Sequence, residues 1–406
     1  MRELAPGWTL SKVGDLFDMQ IGKKLNKEAS AGLEQREYVT NKDVQWNRIH
    51  FKKLNRMSFS AAERERFRLL PGDLLVTEGG EVGRTAIWEG QREECYFQMS
   101  LHRLRTRGAI EPRYMLHYMA YAARFDLFVN GVSQTSIAHL PQDKFAEQLI
   151  AHPVDLAEQR RIVEVIDGVS EMERGIEASI AKLRSVRRGA LLSAMESVTS
   201  ESPLPGWARV PLKEVVPSAE YGISEALDRD ACGMPVLRMN NIQDGRIDAE
   251  ELRYCPVPVP EKLFLRRGDV LFNRTNSMEH IGKSAIWRDE LPNATFASYL
   301  VRLIPDLQRV TPEYLVEWLM HPLVRQRVRS ISTVAVQQVN VNPSRLRELA
   351  IDLPVDLAEQ RRIVATLEAC DEQMDREVGE LNKLRQLKQG LVDDLLSGRA
   401  AVSAVA

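Results

Sequence analysis

Apolar residues recur at a seven-residue spacing in two segments of the chain, and this pattern predicts two long helices. The first segment keeps the spacing at Ile162, Val169, Ile176, Leu183 and Ala190, with Ile166 and Ile180 four residues further on. The second keeps it at Leu367, Met374, Leu381 and Leu395, with Cys370, Leu384 and Leu391 in the other apolar position. Such spacing is typical of a coiled-coil seam. The alternative is two amphipathic helices packed on their own globular parts, but some forty residues of apolar stripe exceed an average helix.

Each predicted helix starts with a sequence typical of a capping box. Asp155 stands three residues before Glu158, and Asp356 stands three residues before Glu359. The Asp side chain can accept hydrogen bonds from N–H groups of the first turn, while the Glu reaches back to the cap. The helices are therefore expected to begin at these positions, and the first is expected to end near Glu196.

The chain repeats itself. An eleven-residue string, PVDLAEQRRIV, occurs without a mismatch at 153–163 and at 354–364. Pro-Gly-Trp segments at 6–8 and 205–207 and Gly-Asp pairs at 72–73 and 268–269 recur in the same order. Recurrence on this scale indicates a tandem duplication. Each copy consists of a variable globular part followed by a nearly invariant helix start.

The duplication predicts the domain organisation. The first globular part is expected at 1–152, the first spacer helix at 153–198, the second globular part at 199–352, the second spacer helix at 353–398 and a tail at 399–406. Within the globular parts, the apolar runs 74–76 and 270–272 follow Gly-Asp turns and are typical of strands. Segments 113–128 and 313–328 have helical spacing. The fold class is therefore α/β, with two mixed α/β parts and a pair of long helices.

The connection between the first helix and the second globular part predicts how the helices pack. This connection, 197–206, is short and rich in Ser, Pro and Gly, so the second part should lie at the far end of the first helix. A second helix that packs along the first must then run antiparallel to it. A forty-residue helix is about 60 Å long, which exceeds one turn of a DNA duplex at ~34 Å. The helix pair would hold the globular parts at a fixed separation.

Composition and charge narrow the possible classes of protein. With 44% hydrophobic and 28% charged residues, the 406-residue chain is typical of globular proteins, and it contains no apolar run of signal-peptide or membrane-span length. We therefore expect a cytoplasmic protein that does not contact a membrane. A net charge of -2 gives no global basic signal, so any DNA-binding surface must be a local patch.

Motifs that would indicate catalysis or metal binding are weak. Asn342-Pro343 matches only the first two positions of an adenine methyltransferase loop, Asn/Asp-Pro-Pro-aromatic. The glycine-rich run at 79–83 lacks the Lys-Ser/Thr of a phosphate-binding loop and is better interpreted as a tight turn. The four cysteines and seven histidines lack metal-ligand spacing. We therefore expect neither catalytic residues nor a metal site.

Polar side chains able to recognise base edges occur in loops of both globular parts. Asn, Gln, Arg and Lys can form the paired hydrogen bonds that the DNA major groove accepts. The DNA-binding candidates in the first part are Lys23, Lys24, Asn41, Lys42, Arg84, Gln134, Thr135 and Ser136. Those in the second part are Tyr221, Arg238, Asn240, Asn241, Arg274, Asn276, Lys283, Gln337 and Gln338.

Taken together, the chain resembles the specificity subunit of type I restriction-modification systems. The resemblance covers the whole chain and rests on the duplicated string, the Pro-Gly-Trp segments and the Gly-Asp strands, in the order variable part, helix, variable part, helix. It implies that each variable part is a target recognition domain for one half of a bipartite, asymmetric DNA site. It also implies that the helices set the gap between the halves, and that the chain is a non-catalytic subunit without cofactors of its own.

The resemblance further implies partners in a restriction-modification complex. Two modification subunits would methylate adenine with S-adenosylmethionine, and restriction subunits would use ATP to translocate DNA before cutting it. Identical helix starts suit two copies of one partner. The expected docking residues are Glu158, Gln159, Arg160, Arg161, Glu359, Gln360, Arg361 and Arg362. The competing interpretation, a coiled-coil scaffold that binds only proteins, explains the helices but not the paired globular parts.

Overall fold

The computed structural model describes residues 4–127, 139–230, 232–243, 245–334 and 338–399. The chain divides into two compact units: unit 1 comprises residues 1–177 and 379–406, and unit 2 comprises residues 178–378. This division falls inside both long helices, whereas the sequence predicted boundaries at the helix starts. Each unit therefore contains a globular part together with a segment of each helix.

Unit 1 contains short strands and helices followed by the first long helix, α6, which continues into unit 2. Its strands are β1 (Trp8–Lys12), β2 (Phe17–Ile21), β3 (Gln35–Val39), β4 (Val44–Gln45), β5 (Arg48–Ile49), β6 (Asn55–Ser58), β7 (Leu74–Thr77), β8 (Thr85–Ile87), β9 (Tyr96–Phe97), β10 (Leu101–Thr106) and β11 (Leu149–Pro153). Its helices are α1 (Val13–Leu16), α2 (Lys27–Ala31), α3 (Ala61–Phe67), α4 (Pro112–Arg124), α5 (Gln142–Ala146) and α6 (Leu156–Ala194).

Unit 2 repeats this sequence of elements and ends with the second long helix, α10, which continues into unit 1. Its strands are β12 (Trp207–Pro211), β13 (Ser218–Tyr221), β14 (Met234–Leu237), β15 (Ile242–Gln243), β16 (Arg246–Ile247), β17 (Arg253–Cys255), β18 (Val270–Asn273), β19 (Thr275–Asn276), β20 (Ser284–Ile286), β21 (Thr295–Phe296), β22 (Leu300–Ile304), β23 (Thr333–Val334), β24 (Val339–Asn340) and β25 (Ala350–Pro354). Its helices are α7 (Pro312–Met320), α8 (Pro322–Ser330), α9 (Pro343–Arg347) and α10 (Leu357–Leu396).

The sheets of the two units have the same strand order. The central sheet is β2-β10-β7-β8 in unit 1 and β13-β22-β18-β20 in unit 2, with antiparallel pairing throughout. A second sheet is β6-β3-β9 in unit 1 and β17-β14-β21 in unit 2, and its last pair is parallel in both. The strands that flank each globular part also pair, β1 with β11 and β12 with β25. The predicted mixed α/β fold and its duplication are confirmed.

The Gly-Asp turns form as predicted and place β7 and β18 in the cores. Gly72 and Gly268 both have a φ of +91°, a backbone conformation that favours glycine. The carboxylate of Asp73 accepts a hydrogen bond from the Leu70 N–H, and β7 is buried along its whole length. The carboxylate of Asp269 closes the same turn before β18. A turn of this kind explains both aspartates without catalysis.

The segment 313–328 is helical, as its spacing predicted, but it forms two helices instead of one. Two helices, α7 and α8, lie on either side of His321, whose backbone is extended with a ψ of 132°. Pro322 causes the break, because proline lacks an N–H group and disfavours a helical conformation in the residue before it. In unit 1, α4 is a single helix that ends at Arg124, and Phe128 lies outside the described residues.

The largest hydrophobic core of each unit includes residues from both long helices. In unit 1, Ile162 of α6 and Leu395 of α10 are buried together with residues of β2, β7 and α4. In unit 2, Leu191 of α6 and Leu367 of α10 are buried with residues of β18, β22 and α7. The apolar stripe thus packs on the globular parts at the helix ends. The apolar stripe therefore packs on the globular parts at some positions and forms a seam between the two helices at others.

The long helices pair antiparallel within each unit, as predicted. In unit 1 the contacts are Glu173–Lys388 at 2.6 Å and Glu177–Arg385 at 2.5 Å. In unit 2 they are Ser179–Glu377 at 3.0 Å and Arg187–Asp371 at 2.6 Å. Partner numbers on α10 fall as those on α6 rise. Glu173 and Arg187 occupy the same seven-residue register as Ile166 and Ile180, so the seam contains charged positions that the apolar pattern did not reveal.

The caps of both long helices differ from the predicted capping box in one respect. The side chain of Asp155 accepts a hydrogen bond from the Ala157 N–H at 2.9 Å, and Asp356 accepts one from Ala358 at 2.8 Å. These caps are as expected. The side chain of Glu158, however, pairs with Arg161 at 2.7 Å, and its copy Glu359 pairs with Arg362. The prediction that the Glu side chain reaches back to the helix cap is therefore wrong, because an arginine three residues further on binds its carboxylate.

The connection between α6 and the second globular part is held in place by an arginine. Arg209 of β12 donates to the backbone oxygens of Ser197, Ser200 and Glu201. Its Nε donates to the carboxylate of Asp352, which is fully buried, at 2.6 Å. The segment 197–206 is rich in turn-forming residues, as the sequence indicated, but it is fixed to unit 2 by these contacts.

A carboxylate that joins α6 to α4 predicts a dependence of stability on pH. Asp167 accepts from His117 Nε2 at 3.0 Å and from Arg113 Nε at 2.9 Å. The hydrogen bond from His117, followed by the contact with Arg113, lowers the pKa of Asp167 to about 2 despite partial burial. A lowered pKa in the folded state adds stability above pH 3.8, the model value for Asp, and this stability is lost as the pH falls toward 2.

We therefore expect the melting temperature of the chain to fall between pH 4 and pH 2, and Asp167→Asn to flatten this decrease. Thermal unfolding of both proteins across this pH range is the measurement. Asp143→Asn, which alters an exposed aspartate on α5, serves as the matched control. An unchanged pH profile in Asp167→Asn would contradict the assignment.

Candidate nucleic-acid interface

The ends of several strands meet at one edge of the central sheet in each unit. In unit 1, β2 and β7 end where β8 and β10 begin, and the backbone N–H of Glu78 donates to Ser100 O at 3.1 Å across this edge. We call this region the loop edge. In unit 1 it comprises residues 21–24, 41–42, 78–84, 98–100 and 139, and in unit 2 residues 221–224, 274–283, 298–299 and 338–340.

At the centre of the loop edge, the backbone at Gly22 or Gly222 packs directly against the backbone of a neighbouring segment. A Cβ atom added to Gly22 would lie 2.4 Å from the carbonyl of Gln98, and one added to Gly222 would lie 2.1 Å from Phe296 O. Glycine is therefore required at both positions, because any side chain would collide with the backbone. The turn at 79–83 adds Gly80 and Gly83, both with positive φ, and is a tight turn as predicted.

Three of the predicted residues in unit 1 meet at this edge. Arg84 donates to the backbone and side-chain oxygens of Asn41 at 2.9 and 2.8 Å, and it pairs with Glu81. Asn41 donates to Gly79 O at 2.7 Å, which connects two loops. The side chain of Arg84 is thus largely used to position Asn41, while Lys42 beside it is exposed. Lys24 is also exposed.

Lys23, one of the predicted DNA-binding residues, is largely buried and already paired within unit 1. Its Nζ pairs with the Glu63 carboxylate at 2.7 Å, donates to Ser58 O and lies 5.0 Å from the centre of the Phe59 ring. Burial opposes ionisation of Glu63, but the hydrogen bond from Lys23 and the cap at Ser60 hold the pKa of Glu63 below its usual value. An ammonium engaged in this way stabilises the start of α3 and does not point to solvent.

The predicted residues of unit 2 form a more open group at its loop edge. The guanidinium of Arg274 lies 5.0 Å from the centre of the Tyr221 ring and donates to Asn340 Oδ1 at 2.7 Å. Asn276 pairs in the sheet with Val339, next to the exposed Gln338. Lys283 Nζ donates to Gln243 Oε1 at 3.2 Å. Tyr221 is half-exposed, so this group includes an accessible aromatic ring.

Asn241, another predicted DNA-binding residue, has a structural role in its loop. It is buried, accepts a hydrogen bond from the Arg238 N–H at 2.9 Å and donates to the backbone oxygens of Asp248 and Glu251. Its amide is therefore used within the loop. Arg238 donates to the same Glu251 O, and burial lowers its pKa. Asn240, between them, is exposed.

Some predicted residues lie outside the described part of the chain, and others were missed. Gln134, Thr135, Ser136 and Gln337 lie outside the described residues. The sequence pattern did not indicate Trp46, whose indole donates to Glu81, or Tyr299, which is nearly half-exposed at the unit 2 loop edge. A signal was present, because Tyr299 falls inside the stretch 296–303, whose Phe, Leu, Arg and Leu positions recur at the same spacing in 97–104.

The repeated string contains both exposed and buried residues. Arg160, Arg161, Arg361 and Arg362 are exposed on the first turns of α6 and α10, as a docking surface requires. Gln159 and Gln360, which were also predicted to dock partners, are fully buried, so their amides are not accessible on the surface of the chain. Each buried amide contacts backbone groups of its own globular part, which the string alone could not show. The largely exposed Val154 and Val355, at the second position of the string, were missed.

Membrane-spanning helices and metal-binding clusters are absent from the described residues of both units. No helix among them is long and apolar enough to cross a membrane. Within the same residues, no group of His, Cys, Asp and Glu side chains could hold a metal ion. Asn342, the start of the weak methyltransferase match, accepts a hydrogen bond from the Ser344 N–H at 2.8 Å and caps α9.

Comparison with known proteins agrees with the duplicated fold. The profile of the type I restriction modification DNA specificity domain matches residues 6–182 and again residues 205–386. The chain belongs to this family. The resemblance inferred from the repeated string is thereby confirmed, and the family is defined by DNA specificity rather than by catalysis.

Relatives in the type I specificity family cover different shares of the chain. A putative type I restriction enzyme MjaX specificity subunit from Methanocaldococcus jannaschii is 30% identical over 198 residues, which is 47% of this chain and 45% of that relative. The EcoKI specificity subunit of Escherichia coli is 20% identical over 420 residues, or 95% of this chain and 88% of that protein. The match to the first relative thus spans less than half of its length.

Solved structures show the same fold over nearly the whole chain. A chain from a study of complex assembly and conformational transition of the type I R-M system has a TM-score of 0.65 and 19% identity, covering 98% of this chain and 100% of its own. The type I restriction-modification S subunit from M. genitalium has a TM-score of 0.55 and 15% identity, covering 96% of each chain. At such identities the likeness concerns the fold alone.

Proposed function

We propose that this chain recognises a bipartite, asymmetric DNA site, one half with each unit, on behalf of modification subunits. One observation carries the proposal: the two units place the same sheet edge at the same position of the fold but equip it with different side chains. In unit 1 this edge presents Lys24, Asn41 and Lys42, and in unit 2 it presents Tyr221, Arg274 and Asn276. Different side chains on one scaffold suit two different half-sites.

The proposed partners follow from the duplicated string. Its exposed arginines recur in both copies, so two copies of one modification subunit would find equivalent landing sites. In this proposal S-adenosylmethionine and ATP are bound by modification and restriction subunits, and this chain binds no cofactor of its own. The helix pair would set the length of the unrecognised gap between the half-sites.

The modular arrangement predicts the result of a domain exchange. Replacing residues 1–150 with the counterpart from a relative of different specificity is expected to change one half-site and leave the other half unchanged. The measurement is mapping of methylated adenine in DNA treated with the chain and its modification partner. The parent chain with the same partner is the control, and it should give a bipartite site.

Two outcomes would contradict the proposal. A change in both half-sites would show that the units do not act as separate recognition modules. Absence of any sequence-specific methylation or binding by the parent complex would favour the competing function, a coiled-coil scaffold that binds only proteins.

A further inference from the structure

The side chain at the end of the central strand differs in charge between the two units. Arg274 follows β18 in unit 2, and Glu78 occupies the same place after β7 in unit 1. The backbone is held alike in both. The N–H of Arg274 donates to Tyr299 O at 3.0 Å, and its carbonyl accepts from Val341 at 2.8 Å. The Glu78 backbone makes the corresponding bonds at 3.1 and 2.8 Å.

Three neighbours hold the guanidinium of Arg274 in one orientation. Its Nη2 donates to Asn340 Oδ1 at 2.7 Å, its Nη1 donates to Ser298 O at 3.3 Å, and its plane lies near the Tyr221 ring. Each terminal nitrogen of an arginine carries a second hydrogen. A guanidinium with fixed orientation loses little conformational entropy when it forms a further pair of hydrogen bonds. The group is therefore pre-organised as a paired donor.

Unit 1 lacks these three side chains at the matching positions. Ile21 stands in place of Tyr221, Glu78 in place of Arg274, and His139 in place of Asn340. An isoleucine and a glutamate cannot form an arginine–aromatic stack. The paired donor is thus a property of unit 2, and it is expected to affect only one half of a bipartite site.

We propose that Arg274 recognises a guanine in the half-site bound by unit 2, with Tyr221 and Asn340 as positioning residues. The inference rests on the proposed function, because it requires the loop edge to face DNA. Guanine O6 and N7 are the two acceptors in the major groove that a paired arginine donor matches best. No other base presents two adjacent acceptors there, so replacing the guanine should leave one N–H of Arg274 without an acceptor.

The test compares variants of Arg274 in the full chain with its modification partner. Methylated-adenine mapping defines the parent site, and the half that survives exchange of residues 1–150 is assigned to unit 2. Arg274→Gln is expected to reduce the preference for one guanine in that half by about 10- to 100-fold while the other half stays unchanged. Arg274→Lys should weaken this preference, though less than Arg274→Gln does, because lysine can reach guanine but lacks the planar pair of donors. It should retain binding to non-specific DNA, because the charge remains.

Arg267→Gln is the matched control. Arg267 lies at the opposite end of β18, and its side chain is 73% exposed, so its loss should leave the site unchanged. Asn340→Ala should weaken the guanine preference partially, since the guanidinium keeps its charge but loses one hydrogen bond. Thermal unfolding of each variant shows whether it is folded. If Arg274→Gln does not fold, the comparison of Arg274→Lys with the parent chain is the test.

Two results would overturn the inference. In one, folded Arg274 variants keep the parent half-site; in the other, they lose methylation equally at every sequence. Failure of the proposed function is recognised separately, because the parent complex would then show no bipartite site at all.

Discussion

Replacing Gln360 with leucine is expected to lower the free energy of unfolding by about 3 kcal/mol, the first of the two largest effects we predict. Gln360 is fully buried at the start of α10. Its Oε1 accepts from the Thr311 N–H at 2.9 Å, and its Nε2 donates to Pro354 O and Arg309 O, both at 2.9 Å. Leucine has a similar size but would leave these backbone groups without partners, at about 1–3 kcal/mol for each one that stays buried.

Urea unfolding of the full chain measures this effect, and two further variants sharpen it. Gln159→Leu should destabilise unit 1 in the same way, because Gln159 accepts from the Glu111 N–H and donates to Pro153 O, both at 2.8 Å. Arg361→Ala, at the next and exposed position of the string, should change the stability by less than about 0.5 kcal/mol. Equal losses for Gln360→Leu and Arg361→Ala would contradict a structural role for the buried amide.

These amides give the duplicated string a second explanation. A string that occurs twice without a mismatch first suggests one partner that binds twice. The structure shows that part of the string joins each long helix to its own globular part, since Gln159 and Gln360 bind the backbone just before α4 and α7. Only the exposed members, such as Arg160 and Arg361, are free to serve a partner. Partner-binding experiments should therefore alter the arginines and leave the glutamines intact.

Periodic features of the sequence predicted the fold well because they depend on local spacing. The seven-residue repeat gave α6 and α10, and the Gly-Asp turns gave β7 and β18. Exact internal repetition gave the duplication without any knowledge of contacts. The break at His321 was overlooked, although Pro322 was visible as its cause.

The candidate site was harder to predict because the role of a polar side chain depends on distant partners. Lys23 looked like an available cation, but Glu63, forty residues away, binds it. Asn241 looked like a base-contacting amide, but the loop that ends at Glu251 encloses it. Arg274 is partly accessible at the loop edge, but its orienting partner Asn340 lies in a strand 66 residues further on. Single-sequence reasoning selects suitable residue types and cannot tell which are already satisfied.

The second large effect concerns the charged position of the helix seam in unit 2. Arg187 of α6 donates from Nε to Asp371 of α10 at 2.6 Å and from Nη2 to Glu317 of α7 at 2.7 Å. All three side chains are largely buried. Burial raises the pKa of Glu317 even though Arg187 favours its ionised form. One cation therefore joins both long helices and the globular part of unit 2.

Arg187→Met should lower the free energy of unfolding by about 3–5 kcal/mol, because two largely buried carboxylates lose their counter-charge. Urea unfolding measures the loss, and Arg188→Met, at the neighbouring exposed position, is the control. Combining Arg187→Met with Glu317→Leu and Asp371→Leu should restore most of the stability, since a packed apolar group can replace a buried ion cluster. If the triple variant were as unstable as Arg187→Met alone, unpaired charge would not be the cause, and the loss would instead reflect the packing of the arginine stem.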